Sequence, residues 1–203
     1  MHTIKQKHIA EAFGTFILSL LVALSIKAGG SDAIPTAVLA AATVGIFVYT
    51  IGGISGTHLN PAVTLALFVQ KKLTQTDALY YVAAQMIGGI IAGAVVHGSK
   101  VFTALAKITS FNGTDFVAEI FGTLILMFGI IAVVAGKAHA QASGIVIGGS
   151  LLLGATLAGL MGGDGFLNPA VAIAAKQLSL TTILGPGIGA VIAVYFYSML
   201  IEE

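Results

Sequence analysis

The sequence predicts an all-α membrane protein with six transmembrane helices and two re-entrant half-helices, arranged as an inverted repeat. Three observations predict this fold. The chain of 203 residues is 57% hydrophobic and 8% charged, whereas about a quarter of the residues in a soluble domain are charged. Six apolar stretches are each long enough to cross a bilayer. The same tripeptide occurs twice, at Asn60-Pro61-Ala62 and at Asn168-Pro169-Ala170.

The six predicted spans account for most of the chain. Each stretch holds about the 20 residues that a hydrocarbon core of roughly 30 Å requires. Only Glu11 and Glu119 place a carboxylate inside a span. The spans lie near residues 9–28, 35–54, 78–98, 116–136, 143–161 and 182–201.

Two shorter apolar segments, 61–70 and 169–176, each begin with the proline of a tripeptide. Asparagine is a good N-cap and proline a good first helical residue, so each tripeptide predicts a helix start. Ten helical residues reach roughly 15 Å, about half of the hydrocarbon core. These segments are too short to cross the bilayer and too apolar for water, and we therefore expect two re-entrant half-helices.

The two tripeptides belong to an internal duplication. A shift of 108 residues lays Ala10-Glu11 over Ala118-Glu119 and Phe13-Gly14-Thr15 over Phe121-Gly122-Thr123. The same shift lays Ile17-Leu18 over Ile125-Leu126 and Val63 over Val171. We expect one domain over residues 1–203, with repeats near 8–98 and 115–201. Three spans per repeat is an odd number, so the second half-helix enters from the opposite side of the membrane.

Two half-helices that meet at the midplane favour neutral dipolar molecules. Each N-terminus carries roughly half a positive charge and unpaired backbone N–H groups, which repel cations. The side-chain amides of Asn60 and Asn168 can donate to a passing molecule. The glycine-rich segments before the tips can line a pore with their carbonyl groups, because bare backbone is tolerated at membrane depth beside a cavity.

At these residues the sequence resembles the aquaporin, or major intrinsic protein, family. The resemblance covers nearly the whole chain and rests on residues 55–64, the second tripeptide and the two Ala-Glu pairs. It implies an hourglass monomer, one pore per subunit, a homotetramer and passive flow of water or small neutral solutes. It also implies that Glu11 and Glu119 accept hydrogen bonds from the re-entrant loops. The implied pore-lining residues are His58, Leu59, Phe166 and Leu167.

The chain departs from the family at the narrowest filter. The family usually carries arginine directly after the second tripeptide, whereas this chain has Val171 there and contains no arginine. The other filter positions fall on Ala40, on Gly165, and on Ala155 or Thr156. Small apolar side chains predict a wider and less polar constriction that tolerates glycerol, urea or hydrogen peroxide. The constriction would be narrower than this if the side chain of Phe47, Tyr49 or Phe166 folded inward.

Two other transport-related hypotheses remain open. Inverted repeats with broken helices also build ion-coupled secondary transporters, although coupling needs ion-binding groups on the path and only the two paired Glu residues are available. A poorly conducting structural member would need adhesive loops, and the segment near 99–114 offers no obvious adhesive surface. No nucleophile–base constellation, metal cluster or cofactor motif is visible, and a net charge of +1 argues against nucleic acid as a partner.

We expect a multi-pass integral membrane protein, in the plasma or inner membrane, with both termini in the cytoplasm. That orientation weakly satisfies the positive-inside rule. It places five lysines inside, Lys5, Lys7, Lys71, Lys72 and Lys137, and four outside, Lys27, Lys100, Lys107 and Lys176.

Overall fold

A computed structural model describes residues 4–29, 34–98 and 110–201, and these ranges are almost entirely helical. A short 3-10 turn, Ala140–Ala142, precedes the seventh helix. The helices are α1 (Ile4–Lys27), α2 (Thr36–Thr50), α3 (Gly52–Ser55), α4 (Pro61–Val69), α5 (Gln75–His97), α6 (Gly113–Val134), α7 (Ser143–Leu160), α8 (Pro169–Ala174) and α9 (Leu180–Ile201). Lys100, Lys107 and most of the predicted 99–114 loop lie outside the described residues.

Five of these helices, α1, α5, α6, α7 and α9, are long and apolar enough to cross a membrane. The second predicted span differs from the expectation of one helix over 35–54. The helix α2 has 15 residues, about 22 Å, and the separate turn α3 follows it. The break lies at Ile51, where φ is −117° and ψ is −3°. Two glycines follow it at Gly52 and Gly53, and glycine weakens a helix interior.

The helices α4 and α8 are the two predicted half-helices. They have nine and six residues, so the second ends two residues earlier than the sequence suggested. Both end in the same way, because Lys71 and Lys176 adopt left-handed backbone with φ of 60° and 61°. The following amides, of Lys72 and Gln177, then donate back into the last helical turn at 2.9 Å.

The half-helices point toward opposite faces of the protein. We call the end where α1 starts the N-terminal face and the other end the distal face. The Tyr49 hydroxyl donates to the Gln141 carbonyl at 2.8 Å on the N-terminal face. Lys27 Nζ donates to the Val96 carbonyl at 2.7 Å on the distal face. The helix α4 therefore runs from the middle to the N-terminal face and α8 from the middle to the distal face, which confirms the inverted repeat.

Each half-helix packs against the opposite repeat. The helix α8 lies on α5, and α4 lies on α9. Gly89 of α5 makes the first contact possible, because a Cβ at that position would collide with the backbone carbonyl of Ala170. The two repeats are thus interlocked through their re-entrant segments.

The distribution of apolar and polar side chains suits a protein surrounded by lipid. Large apolar side chains face outward, among them Ile145 at 74%, Leu160 at 82% and Met199 at 74% exposure. The ionisable and amide groups of Glu11, Gln85 and Glu119 are fully buried. Backbone groups at membrane depth must find hydrogen-bond partners inside the protein. The buried side chains of Glu11, Gln85 and Glu119 can serve as such partners.

Glycine at the α2–α7 contact generates a stability prediction. A Cβ at Gly148 would lie 2.6 Å from the Ala41 carbonyl, whereas a Cβ at Gly159 of the same helix would meet no atom within 4 Å. We expect Gly148→Ala to lower stability by about 1–3 kcal/mol through overpacking. Gly159→Ala should leave stability unchanged or raise it by up to ~1 kcal/mol.

Thermal unfolding midpoints in detergent, measured for both variants beside the parent protein, check this expectation. Equal midpoints for Gly148→Ala and Gly159→Ala would mean that the α2–α7 contact relaxes without cost.

Candidate functional site: the paired Asn-Pro-Ala tips and their cavity

The two tripeptides meet in the middle of the protein and bond to each other reciprocally. Asn60 Nδ2 donates to the Leu167 carbonyl at 2.7 Å, and Asn168 Nδ2 donates to the Leu59 carbonyl at 2.8 Å. Both asparagines line one cavity. An amide nitrogen carries two N–H donors, so each side chain retains one donor for a molecule in that cavity.

Three backbone N–H groups at the tips, which the sequence predicts to be unpaired, have partners. Asn60 Oδ1 accepts from the Ala62 amide at 2.8 Å, and Asn168 Oδ1 accepts from the Ala170 amide at 3.0 Å. The Val171 amide donates to the Asn168 carbonyl at 3.1 Å. The asparagine side chains therefore offer donors at the midplane, while these three backbone groups contribute through the helix dipole.

The residue before each tip adopts a left-handed backbone. Leu59 and Leu167 have φ of 49° and 53°, a region that non-glycine residues rarely occupy. Both side chains are fully buried. Glycine makes room for both, because Gly14 lies against Leu59 and Gly122 against Leu167. A Cβ at either glycine would lie 2.5 Å from the leucine methyl group.

Glu11 holds the first re-entrant loop through four hydrogen bonds. One carboxylate oxygen accepts from Ser55 Oγ at 2.6 Å and from the His58 amide at 3.0 Å. The other accepts from the Leu59 amide at 2.7 Å and from Gln85 Nε2 at 2.8 Å. These bonds satisfy two loop amides that would otherwise be unpaired at membrane depth.

Glu119 holds the second loop at the matching place. Its two oxygens accept from the Phe166 and Leu167 amides, each at 2.7 Å. Gln85 has no counterpart here, because α9 contains no glutamine or asparagine. Both carboxylates thus lie against the loops that the resemblance implies, but the second has fewer donors.

The cavity has a volume of about 300 Å³. Four of the five candidate filter residues line it together, namely Ala40, Ala155, Gly165 and Val171. Of the two alternatives that the sequence left open, Ala155 lines the cavity, whereas Thr156 is exposed. His58, Leu59 and Phe166 also line the cavity. Leu167 does not, although its carbonyl binds the opposite tip.

One of the three aromatic side chains considered from the sequence faces the cavity. Phe47 packs on Phe13 with ring centroids 6.1 Å apart, and Tyr49 bonds to Gln141. Phe166 is the exception and lines the cavity near Gly165. The distal half therefore combines small residues with one aromatic ring.

Sequence reasoning missed the apolar wall of the cavity. Leu18 and Val22 of α1 and Leu126 and Ile130 of α6 line it. A signal was present, because the 108-residue shift pairs Leu18 with Leu126 and Val22 with Ile130. An inverted repeat places equivalent residues around a shared axis, so paired apolar positions near paired tips indicate a lining.

His58 is fixed by its neighbours on the cavity wall. Its Nδ1 lies 3.1 Å from Thr64 Oγ1, and its ring lies 4.8 Å from the ring of Tyr81. Gln85 Nε2 donates to the same Thr64 hydroxyl at 2.8 Å. The residue is part of the network around Glu11, and within the described ranges no group of three or more His, Asp or Glu residues could hold a metal ion.

Asp164 stands where the cavity opens toward the distal face, and it contributes to the lining. The residue is partly exposed at this opening. Partial burial raises the pKa of this carboxyl, and the nearby Asp115 raises the same pKa further. The distal opening thus carries an acidic side chain, and no lysine is among the cavity-lining residues.

Known proteins with similar sequences and structures support one family. The major intrinsic protein model matches residues 1–197. A glycerol uptake facilitator-like protein of Lactiplantibacillus plantarum is 30% identical, over 94% of this chain and 95% of its own. Aquaporin NIP1-1 of Zea mays is 31% identical, over 96% of this chain and 74% of its own.

A solved structure agrees on the fold. The aquaglyceroporin from Plasmodium falciparum superposes with a TM-score of 0.75 at 24% identity, covering 98% of this chain and 97% of its own. One family accounts for the sequence match and for both relatives. The apolar spans and the opposed tips of this structure fit the same family. The chain therefore belongs to the major intrinsic protein family of membrane channels.

Proposed function

We propose that this protein is a passive channel for water and small neutral solutes with a wide, arginine-free distal constriction. One observation carries the proposal. A single cavity contains both tip asparagines, each with one free amide donor, between walls that are otherwise largely apolar. Such a lining offers a neutral dipolar molecule hydrogen bonds at the midplane and few that would trap it elsewhere.

Ion exclusion follows from the same lining. A cation that enters must lose hydrating water, which costs several kcal/mol when no acceptor replaces it. The midplane presents donors rather than acceptors, and the N-termini of α4 and α8 carry partial positive charge. Both effects oppose cations without any arginine.

The breadth of the solute range follows from the distal residues. Ala40, Ala155, Gly165 and Val171 leave space that longer side chains would fill, and Phe166 supplies an apolar surface. Such a constriction fits small neutral solutes such as glycerol, urea or hydrogen peroxide, as well as water. The glycerol facilitator among the relatives supports this choice.

We further propose a homotetramer in the plasma or inner membrane with both termini in the cytoplasm. The family resemblance supports the assembly. The lysines Lys5, Lys7, Lys71, Lys72 and Lys137 support the orientation, because they belong to segments at the N-terminal face of the fold.

An ion-coupled transporter is the alternative, and the hydrogen bonds of the two buried carboxylates oppose it. Glu11 and Glu119 already accept four and two hydrogen bonds from the loops and their neighbours. A coupling carboxylate would have to release such partners in every cycle. A poorly conducting structural role would leave the asparagine donors without a use.

Reconstitution tests the proposed channel directly. In a sucrose gradient we expect proteoliposomes to shrink rapidly as water leaves. In a glycerol or urea gradient we expect them to shrink and then to re-swell as the solute enters. Both rates should depend only weakly on temperature. Because transport is passive, proton and sodium gradients should not change these rates. Stopped-flow light scattering measures both phases, with protein-free liposomes as the control.

Two outcomes would contradict the proposal. Water flux without entry of glycerol, urea or hydrogen peroxide would refute the wide constriction. Solute entry that follows an imposed proton or sodium gradient would favour the transporter instead.

Val171→Arg tests where the constriction lies. The side chain of Val171 faces the cavity at the second tip, and a guanidinium there would add length, donors and charge. We expect the ratio of glycerol to water permeability to fall by about tenfold, a barrier change of ~1.4 kcal/mol. In the same proteoliposome assay, the rate of shrinkage reports water permeability and the rate of re-swelling reports glycerol permeability.

Val171→Met is the matched control, because methionine adds length without charge or N–H donors. A smaller decrease in Val171→Met would separate the effect of charge from that of size. An unchanged ratio in Val171→Arg would place the constriction elsewhere in the pore.

A further inference from the structure

The loop between α7 and α8 has more backbone to satisfy than its counterpart. It runs over residues 161–168, whereas the loop before α4 runs over 56–60. Backbone N–H groups at this depth need acceptors inside the protein. The amides of residues 161–163 donate to carbonyl groups at the end of α7, and Glu119 accepts from Phe166 and Leu167. The Asp164 amide, which lies between these two groups, needs another acceptor.

Asp115 supplies that acceptor. It lies four residues before Glu119 on α6, one turn away on the same helix face. Its Oδ1 accepts from the Asp164 amide at 2.7 Å, and the residue is 8% exposed. The two carboxylates therefore form consecutive supports beneath one loop.

Close packing at Gly163 brings the loop within reach of Asp115. A Cβ at Gly163 would lie 2.8 Å from Asp115 Oδ1 and 2.5 Å from the Cβ of Ala118. Only glycine allows the backbone to lie this close to α6. The hydrogen bond from Asp164 is thus one part of a fitted contact between the loop and the helix.

The first repeat lacks this support. A shift of 108 residues from Asp115 leads to Lys7, and a lysine ammonium cannot accept a hydrogen bond. The first loop is shorter, and Ser55 and Gln85 reinforce its anchor on Glu11 instead. Asp115 is therefore specific to the loop that forms the distal opening.

We propose that Asp115 is a positioning residue that sets the width of the distal opening by holding the Asp164 amide. The consequence for solute flux rests on the proposed channel function, while the structural role does not. Asp164, whose amide Asp115 holds, and the next residue, Gly165, both line the pore cavity. In an opening without arginine, the placement of this backbone decides how much space a solute finds.

A second cavity explains why the anchor affects width. It has a volume of about 210 Å³ and lies on the other side of the loop. Asp115, Asp164, Gln177, Ser179 and Thr182 are among its polar lining residues. Asp164 borders both cavities, so the loop is a thin partition between them. A loop that loses its anchor can move into this space and enlarge the pore.

Hydrogen exchange and flux on three variants test the role of Asp115. Asp115→Ala removes the acceptor, Asp115→Asn keeps an oxygen in its place, and Asp164→Ala removes the neighbouring carboxylate but keeps its backbone amide. We expect Asp115→Ala to speed exchange in a peptide covering 161–168 by about fivefold, the factor that one lost hydrogen bond corresponds to. Exchange in residues 56–60 should not change.

The flux result should follow the same order. We expect the glycerol-to-water permeability ratio to rise by about twofold or more in Asp115→Ala and to stay close to the parent value in Asp115→Asn. A ratio is independent of how much protein is folded, so a purely structural loss would lower both fluxes and leave it unchanged.

Parent-like exchange and ratio in Asp115→Ala would overturn the proposal, as would an equal exchange increase in Asp164→Ala. Parent protein without any flux would refute the channel function instead, and the exchange measurement would then decide the role of Asp115 alone.

Discussion

The structure depends on one constraint, that backbone N–H and C=O groups in the middle of a bilayer must be paired within the protein. Two non-helical segments reach that depth, and each would be unstable without acceptors and donors. Glu11 and Glu119 pair with the loop amides. Asn60 and Asn168 pair with the carbonyl groups of the opposite loop. Because each tip completes the hydrogen bonding of the other, the two repeats fold as one unit, and the free amide donors that remain are held in a fixed position.

The two halves meet this constraint unequally. Glu11 accepts four hydrogen bonds, two of them from the side chains of Ser55 and Gln85. Glu119 accepts two and lies below a longer loop, for which Asp115 adds a third acceptor. The first loop is therefore held by one carboxylate that side chains reinforce, whereas the second is held by two carboxylates one helical turn apart.

The duplication made the architecture predictable, because the shared shift identified the paired tips, the paired carboxylates and the inverted arrangement from residue identities alone. Details that depend on three-dimensional packing were not predictable in the same way. The extra residues of the second loop left Ala155 and Thr156 equally plausible, and only the rotation of α7 places Ala155 inward. The break at Ile51 depends on local backbone geometry that apolar composition does not reveal. The pairing of the tip amides depends on asparagine rotamers, and Asp115 has no partner in the first repeat to draw attention to it.

The absence of arginine separates two tasks that one side chain could otherwise share. A guanidinium at the constriction would both fill space and repel cations. In the constriction proposed here, Val171, Ala40 and Gly165 can limit a solute only by size, and the acidic Asp164 at the same opening does nothing to repel a cation. In the proposed channel, discrimination by charge then occurs at the midplane, where Asn60 and Asn168 offer donors inside apolar walls. In the proposed channel a solute is consequently tested for size by backbone placement at the opening and for charge at the tip asparagines of the same cavity. Each property can therefore change without the other.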